Sequence, residues 1–425
     1  MNNFTSFFIN ISVFCLTKTL LFFIIILYTP KSYSKREDRN MAKRNVAVLC
    51  FGTSRISVII GERGINNTFD VRGFGEMNYA GFMDGQFLEL DRLPDNVRAV
   101  VAMAENNARC KITDLYVGVP AEFCVSAVRS SQRNFPKKHK INDQDIEAMY
   151  NEADEFSAST THSVINRSPI YFTLDDNRRV VDPKGVVTTK IGAMFSFVLA
   201  ERDFLSIISS ILEPLKIKFV DYISEPLAES LYLIDPSDRD ACAILVDCGY
   251  LTTSVSVVMG DGLVSLNSFS LGGGHIVSDL VDQFDIPFGI AEQLKRKVVL
   301  SFQPEKGDYY EILQGEREFK VDAGIANAVV ASRVTQISKM VAKCLSKCKF
   351  EYPDYIPILI TGGGICYLKG ARDLMSKVLG KDVRIVAPSV PQLDKPHVSS
   401  LLGLLDVGLK QSKVNNAFFS KLFKK

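Results

Sequence analysis

The residues with the clearest chemical potential form a turn, Gly52-Thr53-Ser54, between two apolar segments in the stretch NVAVLCFGTSRISVIIGE, residues 45–62. A glycine flanked by small hydroxyl residues between two strands can direct backbone N–H groups at a phosphate. A phosphate site that catalyses a reaction usually also has a carboxylate nearby, which holds a divalent cation directly or through water. The residue in position to supply that carboxylate is Cys50. The sequence therefore predicts a phosphate-binding turn without its metal-organising acid.

The same strand-turn-strand pattern recurs two hundred residues later in CAILVDCGYLTTSVSVVMGDG, residues 242–262. Aligned by pattern, Asp247 and Gly249 correspond to Cys50 and Gly52, and Thr252 and Thr253 follow after two extra residues, Tyr250 and Leu251. A repeat at this distance predicts a duplicated α/β fold in which each half offers one phosphate-facing hairpin.

A third glycine turn lies in IPILITGGGICYLKGARDLMSKVLGKDVRIVAP, which predicts a buried strand, a triple-glycine turn, a helix starting near Lys369 and another strand. Alternation of strands and helices is typical of an α/β architecture that binds its ligand at the ends of the strands.

Composition limits the classes of protein to which the chain can belong. With 425 residues, 47% of them hydrophobic and 23% charged, it is expected to be globular with two or more domains. The net charge of +2 argues against nucleic acid as a partner, and a solvated loop is expected for the basic run Lys137-Lys138-His139-Lys140. Nine cysteines without any CxxC or Cys/His cluster argue against zinc and disulfides, and a reducing compartment fits best.

Residues 84–192 form an expected insertion between the parts of the first half. Their pattern predicts a helix at 93–107, strands at 114–119 and 123–130, and a further helix that Asn142 caps, with Asp145 in its first turn. The insertion is therefore predicted to be a small α+β module, and nothing in it resembles a catalytic site.

The first forty residues differ in composition from the rest. Residues 7–28 are apolar apart from Lys18 and a few small polar residues, and Lys31, Lys35, Arg36 and Arg39 follow. One interpretation is a signal anchor whose flanking positive charges keep the body of the chain cytoplasmic. The other is that the true start is Met41, because MAKRN leads directly into the first strand.

The C-terminal segment, residues 417–425, has the sequence AFFSKLFKK. Coiled as a helix, it would place Phe418, Phe419, Leu422 and Phe423 on one face and Lys421, Lys424 and Lys425 on the remainder. Nine residues cannot hold a helix alone in water, so the interpretation as a membrane-binding helix requires a surface that orders it. The alternative is a disordered aromatic end.

Taken together, the two hairpins and the triple-glycine turn resemble the actin-like ATPase superfamily, whose two domains close on a nucleotide. Within it the chain is similar to the FtsA family of bacterial cell division proteins. The similarity extends over residues 41–425 and rests on the insertion, the amphipathic C-terminus and the segments SEPLAES, SLGGGHIVSDL, AEQLKRK and LITGGG.

The implied fold is α/β, a duplicated actin-like two-domain fold with an inserted small α+β subdomain. The implied divisions are a hydrophobic extension at 1–40, domain 1 at 41–83 and 193–237 with a returning helix at 396–409, the FtsA-type insertion at 84–192, domain 2 at 238–395, and a linker with the membrane-targeting tail at 410–425.

The resemblance also implies a site for ATP, with or without magnesium. It implies a first phosphate loop, a second phosphate loop with the glycines after it, and an adenosine region. The corresponding residues are Gly52, Thr53 and Ser54; Asp247, Gly249, Thr252, Thr253, Gly272 and Gly273; and Glu292, Lys295, Gly362, Gly363 and Gly364.

Three positions depart from the family pattern. The family normally has Asp at Cys50, Gly-Gly at Tyr250-Leu251 and Asp at Ser254. A neutral thiol is a poor ligand for magnesium, and a bulky side chain at Tyr250 resists any positive φ that the loop requires. We therefore expect nucleotide, if bound, to be structural, with a weak ATPase activity at most. Cys50 itself has two interpretations, simple drift in a packed loop or a nucleophile of low pKa.

The implied function is an actin-like scaffold that tethers the FtsZ ring to the cytoplasmic face of the bacterial cell membrane at the division site. The implied partners are FtsZ, other division proteins through the inserted subdomain, further copies of the chain in filaments, and anionic membrane, without nucleic acid. Two alternatives remain at this point: an FtsA-like adaptor of a pilus or other membrane assembly system, and an active ATPase or kinase of the same superfamily.

Overall fold

The computed structural model describes residues 45–64, 68–315 and 317–414. The predicted N-terminal extension at 1–40 and the predicted tail at 417–425 lie outside the described residues. Within the described ranges, no helix combines the length and the apolar character that crossing a membrane requires.

Strands and helices alternate along the chain, as an α/β fold requires. The strands are β1 (Val46–Phe51), β2 (Arg55–Arg63), β3 (Phe69–Asn78), β4 (Phe82–Met83), β5 (Gln86–Phe87), β6 (Asp114–Val119), β7 (Cys124–Lys140), β8 (His162–Leu174), β9 (Arg179–Val180), β10 (Val187–Glu201), β11 (Lys218–Ser224), β12 (Ala243–Cys248), β13 (Thr253–Met259), β14 (Gly262–Phe269), β15 (Tyr309–Gln314), β16 (Arg317–Asp322), β17 (Ile358–Thr361) and β18 (Val383–Ile385). The helices are α1 (Leu93–Ala108), α2 (Asp143–Ala153), α3 (Arg202–Leu212), α4 (Glu225–Leu233), α5 (Pro236–Ala241), α6 (Gly273–Phe284), α7 (Phe288–Lys297), α8 (Ala323–Ser346), α9 (Ala371–Leu379) and α10 (Ser399–Val414).

Two five-stranded sheets share one topology. The first has the order β3-β2-β1-β6-β11 and the second the order β14-β13-β12-β17-β18. In each sheet three antiparallel strands follow one another along the chain, and two parallel strands then continue from the first of them. The predicted duplication of an α/β unit is therefore confirmed.

The central strands are apolar because both faces of each sheet are covered. All six residues of β1 are buried. Val46 and Val48 on one face belong to a core cluster with Leu405 of α10, whereas Leu49 and Phe51 on the other face belong to a cluster with residues of α1 and α3. Continuous apolar runs are typical of strands buried on both sides, and each hairpin turn directly follows such a run at the end of a central strand, β1 or β12.

A third sheet, with the order β7-β10-β8-β9, forms the inserted module. One face is covered by α2, whose Met149 and Tyr150 pack against Ile191 and Phe195 of β10. Helix α2 begins with the predicted cap, in which the Asn142 side chain accepts hydrogen bonds from backbone N–H groups of the first turn and Asp145 completes a capping box.

The module starts later than the sequence pattern predicts. The pattern places a helix at 93–107 and a strand at 114–119 in the insertion at 84–192, but β6 pairs in parallel with β1, and α1 packs on β3. Both elements therefore belong to the first sheet, and the module's own sheet begins at Cys124. The physical reason is that a strand-helix-strand crossover has the same local pattern whether it extends an existing sheet or starts a new one.

The basic run at 137–140 also differs from expectation. It is not a loop but the end of β7, where Lys140 pairs with Val187 and His139 pairs with Thr188 of β10. Cross-strand pairing overrides the polar composition of this segment.

The second domain contacts the module through the tip of its β13–β14 hairpin. The Ser196 hydroxyl of β10 donates a hydrogen bond to the Leu263 carbonyl at 2.7 Å, and a Cβ on Gly262 would lie 2.6 Å from that of Ser196. The module and the second phosphate hairpin therefore share a closely packed contact, at the opposite end of β13 from the Asp247 turn.

Candidate functional site

A cavity of about 1070 Å³ opens between the two five-stranded sheets. Both hairpin turns, the triple-glycine turn and α7 contribute to its wall. The predicted site residues that line it are Gly52, Thr53, Ser54, Asp247, Gly249, Thr252, Glu292, Lys295, Gly362, Gly363 and Gly364. The fold thus brings together residues as far apart in the chain as Gly52 and Gly364.

Three predicted site residues do not line this cavity. Thr253 is fully buried and its hydroxyl donates to the Leu271 carbonyl at 2.6 Å. Gly273 donates its N–H to the Gly249 carbonyl at 3.0 Å, and Gly272 lies against the carbonyls of Gly249 and Tyr250. These three residues contact the second turn or its neighbours without lining the cavity, so they support the conformation of the turn and do not face a ligand.

The first turn is tightly held. The Gly52 N–H donates to the Arg55 carbonyl at 2.8 Å, and the Tyr79 hydroxyl donates to the Gly52 carbonyl at 2.7 Å. The Thr53 hydroxyl oxygen accepts the N–H of Leu251 at 2.9 Å. This last hydrogen bond joins the first turn to the second across the cleft.

The second turn is bound to the start of α6. Gly273 and Gly274 donate their N–H groups to the carbonyls of Gly249 and Tyr250. The turn therefore accepts hydrogen bonds from N–H groups in the first turn of α6, which have no acceptor within the helix. Tyr250 does not have a positive φ, and the expected backbone conflict with its bulky side chain does not arise. Its ring instead packs against Gly274 and lies 5.8 Å from the Lys295 ammonium nitrogen.

The triple-glycine turn closes around Asp247. Gly362 has a φ of +90°, and a Cβ there would fall 2.1 Å from an Asp247 carboxylate oxygen. Gly364 donates its N–H to the Cys248 carbonyl at 2.7 Å. Only glycine meets both the left-handed conformation and the close approach at position 362.

Two buried acidic residues in the wall were not among the predicted site residues. Glu225 and Glu229 lie on α4 and are 8% and 2% exposed. The Phe51 N–H donates to the Glu225 carboxyl at 3.2 Å, and the Ser400 hydroxyl donates to the Glu229 carboxyl at 3.1 Å. Their sequence signal was the segment SEPLAES, but nothing in the spacing of that segment shows that it faces the two hairpins.

Burial controls the charge of this acidic cluster. Burial raises the pKa of Glu225 to about 8 and that of Asp247 to about 6, and it raises the pKa of Glu229 well above its ordinary value. Burial, followed by the neighbouring Glu225, also raises the pKa of the Cys50 thiol. The structure therefore argues against a nucleophile of low pKa at Cys50.

At the other side of the cavity, α7 supplies one buried cation. The Lys295 ammonium lies 3.2 Å from the Gly273 carbonyl and 3.2 Å from the Glu292 carboxylate. Burial lowers the pKa of Lys295, and Glu292 partly offsets that effect. Farther out, the Tyr367 hydroxyl and the His397 ring are 2.6 Å apart on the same wall.

The cavity has the size and the lining of a small-molecule pocket. Ligand pockets commonly span about 300–1,000 Å³, and this cavity combines that size with glycine-rich turns and a buried lysine. Among the described residues, no group of histidine, cysteine, aspartate and glutamate side chains has the geometry to hold a metal ion. A protonated carboxyl and a neutral thiol are poor magnesium ligands.

Two family models and a curated relative match this chain, and all three carry an FtsA description. The family model described as "Cell division protein FtsA" matches residues 244–403, and the model described as "SHS2 domain inserted in FTSA" matches residues 125–199, where the third sheet lies. A cell division protein FtsA from Streptococcus pneumoniae serotype 2 (strain D39 / NCTC 7466) is 22% identical over 374 residues, which cover 86% of this chain and 80% of that protein.

Solved structures show the same fold. A PilM–PilN type IV pilus biogenesis complex matches with a TM-score of 0.58 at 15% identity, over 87% of this chain and 99% of the other. MreB5 of Spiroplasma citri bound to AMPPNP matches with a TM-score of 0.52 at 12% identity, over 88% of this chain and 100% of the other. At such identities these two matches describe the fold alone. They confirm the predicted actin-like fold class, and the SHS2 match confirms its inserted domain.

Proposed function

The chain belongs to the FtsA family of cell division proteins, and from that premise we propose that it is an actin-like scaffold that attaches the FtsZ ring to the inner face of the cytoplasmic membrane. The observation that carries the proposal is the position of the inserted sheet. An SHS2-type module stands between β6 and β11 of an otherwise actin-like fold. The SHS2 model matches this module, and the FtsA model matches residues 244–403, most of which form the second domain.

We further propose that the cleft binds ATP and hydrolyses it weakly or not at all. The cavity between the duplicated sheets and the eleven predicted residues in its wall support binding. A tightly held magnesium ion is disfavoured by the buried thiol at Cys50, whose raised pKa keeps it neutral where a carboxylate would supply a charged ligand. Because hydrolysis relies on a metal ion to stabilise charge on the phosphates, nucleotide would act mainly as a structural ligand.

Attachment to the membrane is proposed for the tail. Its three phenylalanines and one leucine would contribute roughly 3 to 6 kcal/mol if half-buried in lipid, and each lysine near an anionic surface adds about 1 kcal/mol. Such an anchor is reversible for one copy and becomes effective when many copies act together in a filament. Self-association and the recruitment of further division proteins through the module belong to the same proposal.

The alternatives have weaker support. The pilus complex resembles this chain only in fold, at 15% identity, whereas the matching sequence families carry the FtsA description. An active kinase or ATPase would rely on metal-holding carboxylates, and two positions at which the family pattern has aspartate carry Cys50 and Ser254 here.

Flotation of purified FtsZ polymers with vesicles containing phosphatidylglycerol tests the proposed function. We expect FtsZ to float only in the presence of the full chain, and to stay at the bottom with the variant Phe419→Glu, Phe423→Glu. The matched control is Tyr355→Glu, an aromatic residue that is 82% exposed on the described surface. FtsZ that floats equally well with the tail variant, or that never floats with the chain, would refute the proposal.

A further inference from the structure

The sheet of the inserted module has two unlike faces. Residues that alternate toward α2, such as Ile191 and Phe195, are buried against that helix. The intervening residues point to the other face, where Lys190 is exposed and pairs with exposed Asn134 of β7. Near Ser196 this second face is covered by the β13–β14 hairpin, while the end around Lys190 is exposed.

The two faces also differ in charge compensation. On the helix-covered face, Arg129 pairs with Glu155 at 2.9 Å and Arg133 pairs with Glu152 at 2.6 Å. On the exposed face and its adjoining edge, several cations have no acidic partner among the described residues. They are Lys137, Lys138, Lys140, Arg179 and Lys190.

Acidic residues at this end do not neutralise the group. Asp143 is paired with Lys184, and Asp176 is paired with Arg178. Asp175 accepts hydrogen bonds from the N–H and hydroxyl of Thr189, and Asp182 accepts a backbone N–H. In the described part of the chain, five cations without an acidic partner therefore outnumber the two aspartates without a cationic partner, Asp175 and Asp182. The net charge of this surface is positive.

A bulge in β7 positions part of this surface. Between the pairs Lys190–Asn134 and Thr188–His139, β7 carries four residues, 135–138, opposite one residue of β10. Phe135 stacks on the His139 ring with centroids 4.3 Å apart, and His139 Nε2 lies 2.8 Å from the Asp145 carboxylate. Bulges redirect side chains, and this one is anchored from inside while both of its lysines are exposed.

Protection of an edge strand accounts for only part of this pattern. Lysine and proline on an edge strand discourage pairing with other chains, which explains Pro136 and the two lysines beside it. It does not explain Lys190, which lies on the interior strand β10. It also does not explain Arg179, whose guanidinium is held over the Tyr171 ring at 4.2 Å on the same face.

We propose that this surface, named here the basic face, docks a partner protein through a segment rich in aspartate and glutamate. The basic face consists of Lys137, Lys138, Lys140, Arg179 and Lys190. Charge complementarity selects the acidic partner. The partly exposed Tyr171 and Met194 on the same side of the sheet offer apolar contact, which a polypeptide can match with its own side chains. The inference rests on the proposed recruiting role of the module and names the chemistry of its partner.

Fluorescence anisotropy with a labelled polyglutamate peptide tests the inference on the full chain. The variant Lys137→Glu, Lys138→Glu, Lys190→Glu reverses three charges of the basic face. The matched control, Lys339→Glu, Lys343→Glu, Lys349→Glu, reverses three exposed lysines without acidic partners on and just after α8. We expect salt-dependent binding by the unmodified chain and the control, and a loss of about tenfold or more in affinity for the basic-face variant.

Three outcomes would overturn the inference: no peptide binding by the unmodified chain, equal losses in both variants, or binding that is insensitive to salt. A basic-face variant that binds peptide normally but floats less with phosphatidylglycerol vesicles would show a lipid surface instead. Flotation of FtsZ is measured on the same samples, because it reports the proposed tethering separately. Normal FtsZ flotation with no peptide binding would refute the acidic partner alone.

Discussion

At the scale of single residues, we expect position 50 to decide whether the cleft can bind a metal ion. Cys50 is 8% exposed and lies beside a cluster formed by Glu225, Glu229 and Asp247. The thiol adds no charge to these three buried carboxyls. We infer that the burial of Glu225 and Glu229 is tolerated because both carboxyls stay largely protonated near pH 7, while Asp247, with a lower pKa of about 6, carries most of the negative charge of the cluster.

The substitution Cys50→Asp tests this inference. A fourth buried carboxyl without a cation is expected to lower the free energy of unfolding by about 1–3 kcal/mol. Magnesium should raise the melting temperature of this variant and leave that of the unmodified chain unchanged, because a ligand stabilises only a protein that binds it. Cys50→Ser is the control, since it adds a polar atom without a charge. An unmodified chain that gains stability from magnesium as strongly as the aspartate variant would contradict the account.

The same cluster predicts how stability depends on pH. The pKa of Glu225 is raised from 4.5 to about 8, so the folded state retains a proton that the unfolded chain has released. Stability should then fall as pH rises from near 5 toward 8, by about 1.4 kcal/mol per pH unit for each such group. Urea unfolding of the unmodified chain and of Glu225→Gln across this range measures the effect, and the variant should have the shallower slope. Parallel profiles would show that Glu225 is not protonated in the fold.

The two turns of the cleft could be predicted from the sequence, but the acidic residues that lie beside them could not. The Gly52 and Asp247 turns stand out because each follows an apolar run and precedes small hydroxyl residues. Glu225 and Glu229 lie on α4, the helix that follows β11. Their four-residue spacing places them on one face of the helix but does not show what that face contacts. The two glutamates reach the cleft only because β11 joins the edge of the first sheet by parallel pairing with β6, which places the following helix α4 beside the two turns.

At the scale of elements, the turns depend on backbone geometry that one glycine provides. Gly362→Ala should destabilise the fold by about 1–3 kcal/mol from its left-handed conformation alone, and further because the new Cβ would meet Asp247. Gly289→Ala is the control, because a Cβ there meets no atom within 4 Å in helix α7. Thermal unfolding of both variants measures the difference. Equal melting temperatures would show that the turn relaxes without cost.

Elements with a strong local pattern could be predicted, whereas their sheet membership could not. The cap at Asn142 and both hairpins follow from local chemistry. The assignment of β6 to the first sheet depends on a parallel pairing with β1 that no local pattern encodes. The strand at 124–140 is likewise fixed by its long pairing with β10, although its last residues have the composition of a loop.

At the scale of the whole molecule, the two halves meet through contacts across the cleft. The Leu251 N–H binds the Thr53 hydroxyl, and the Ser270 hydroxyl binds the Asp84 carboxylate. On the far side, the β13–β14 hairpin packs on the inserted module through Ser196. A ligand between the two turns would therefore contact the same elements that join the two domains and the module.

The most direct test of this account is calorimetric titration of ATP into the full chain, once with excess magnesium and once with EDTA, followed by measurement of phosphate release. We expect binding under both conditions, with dissociation constants that agree within about threefold, or about 0.6 kcal/mol. We also expect no phosphate release above the rate without protein. Binding that requires magnesium and leads to steady turnover would contradict the account, and so would the absence of any binding.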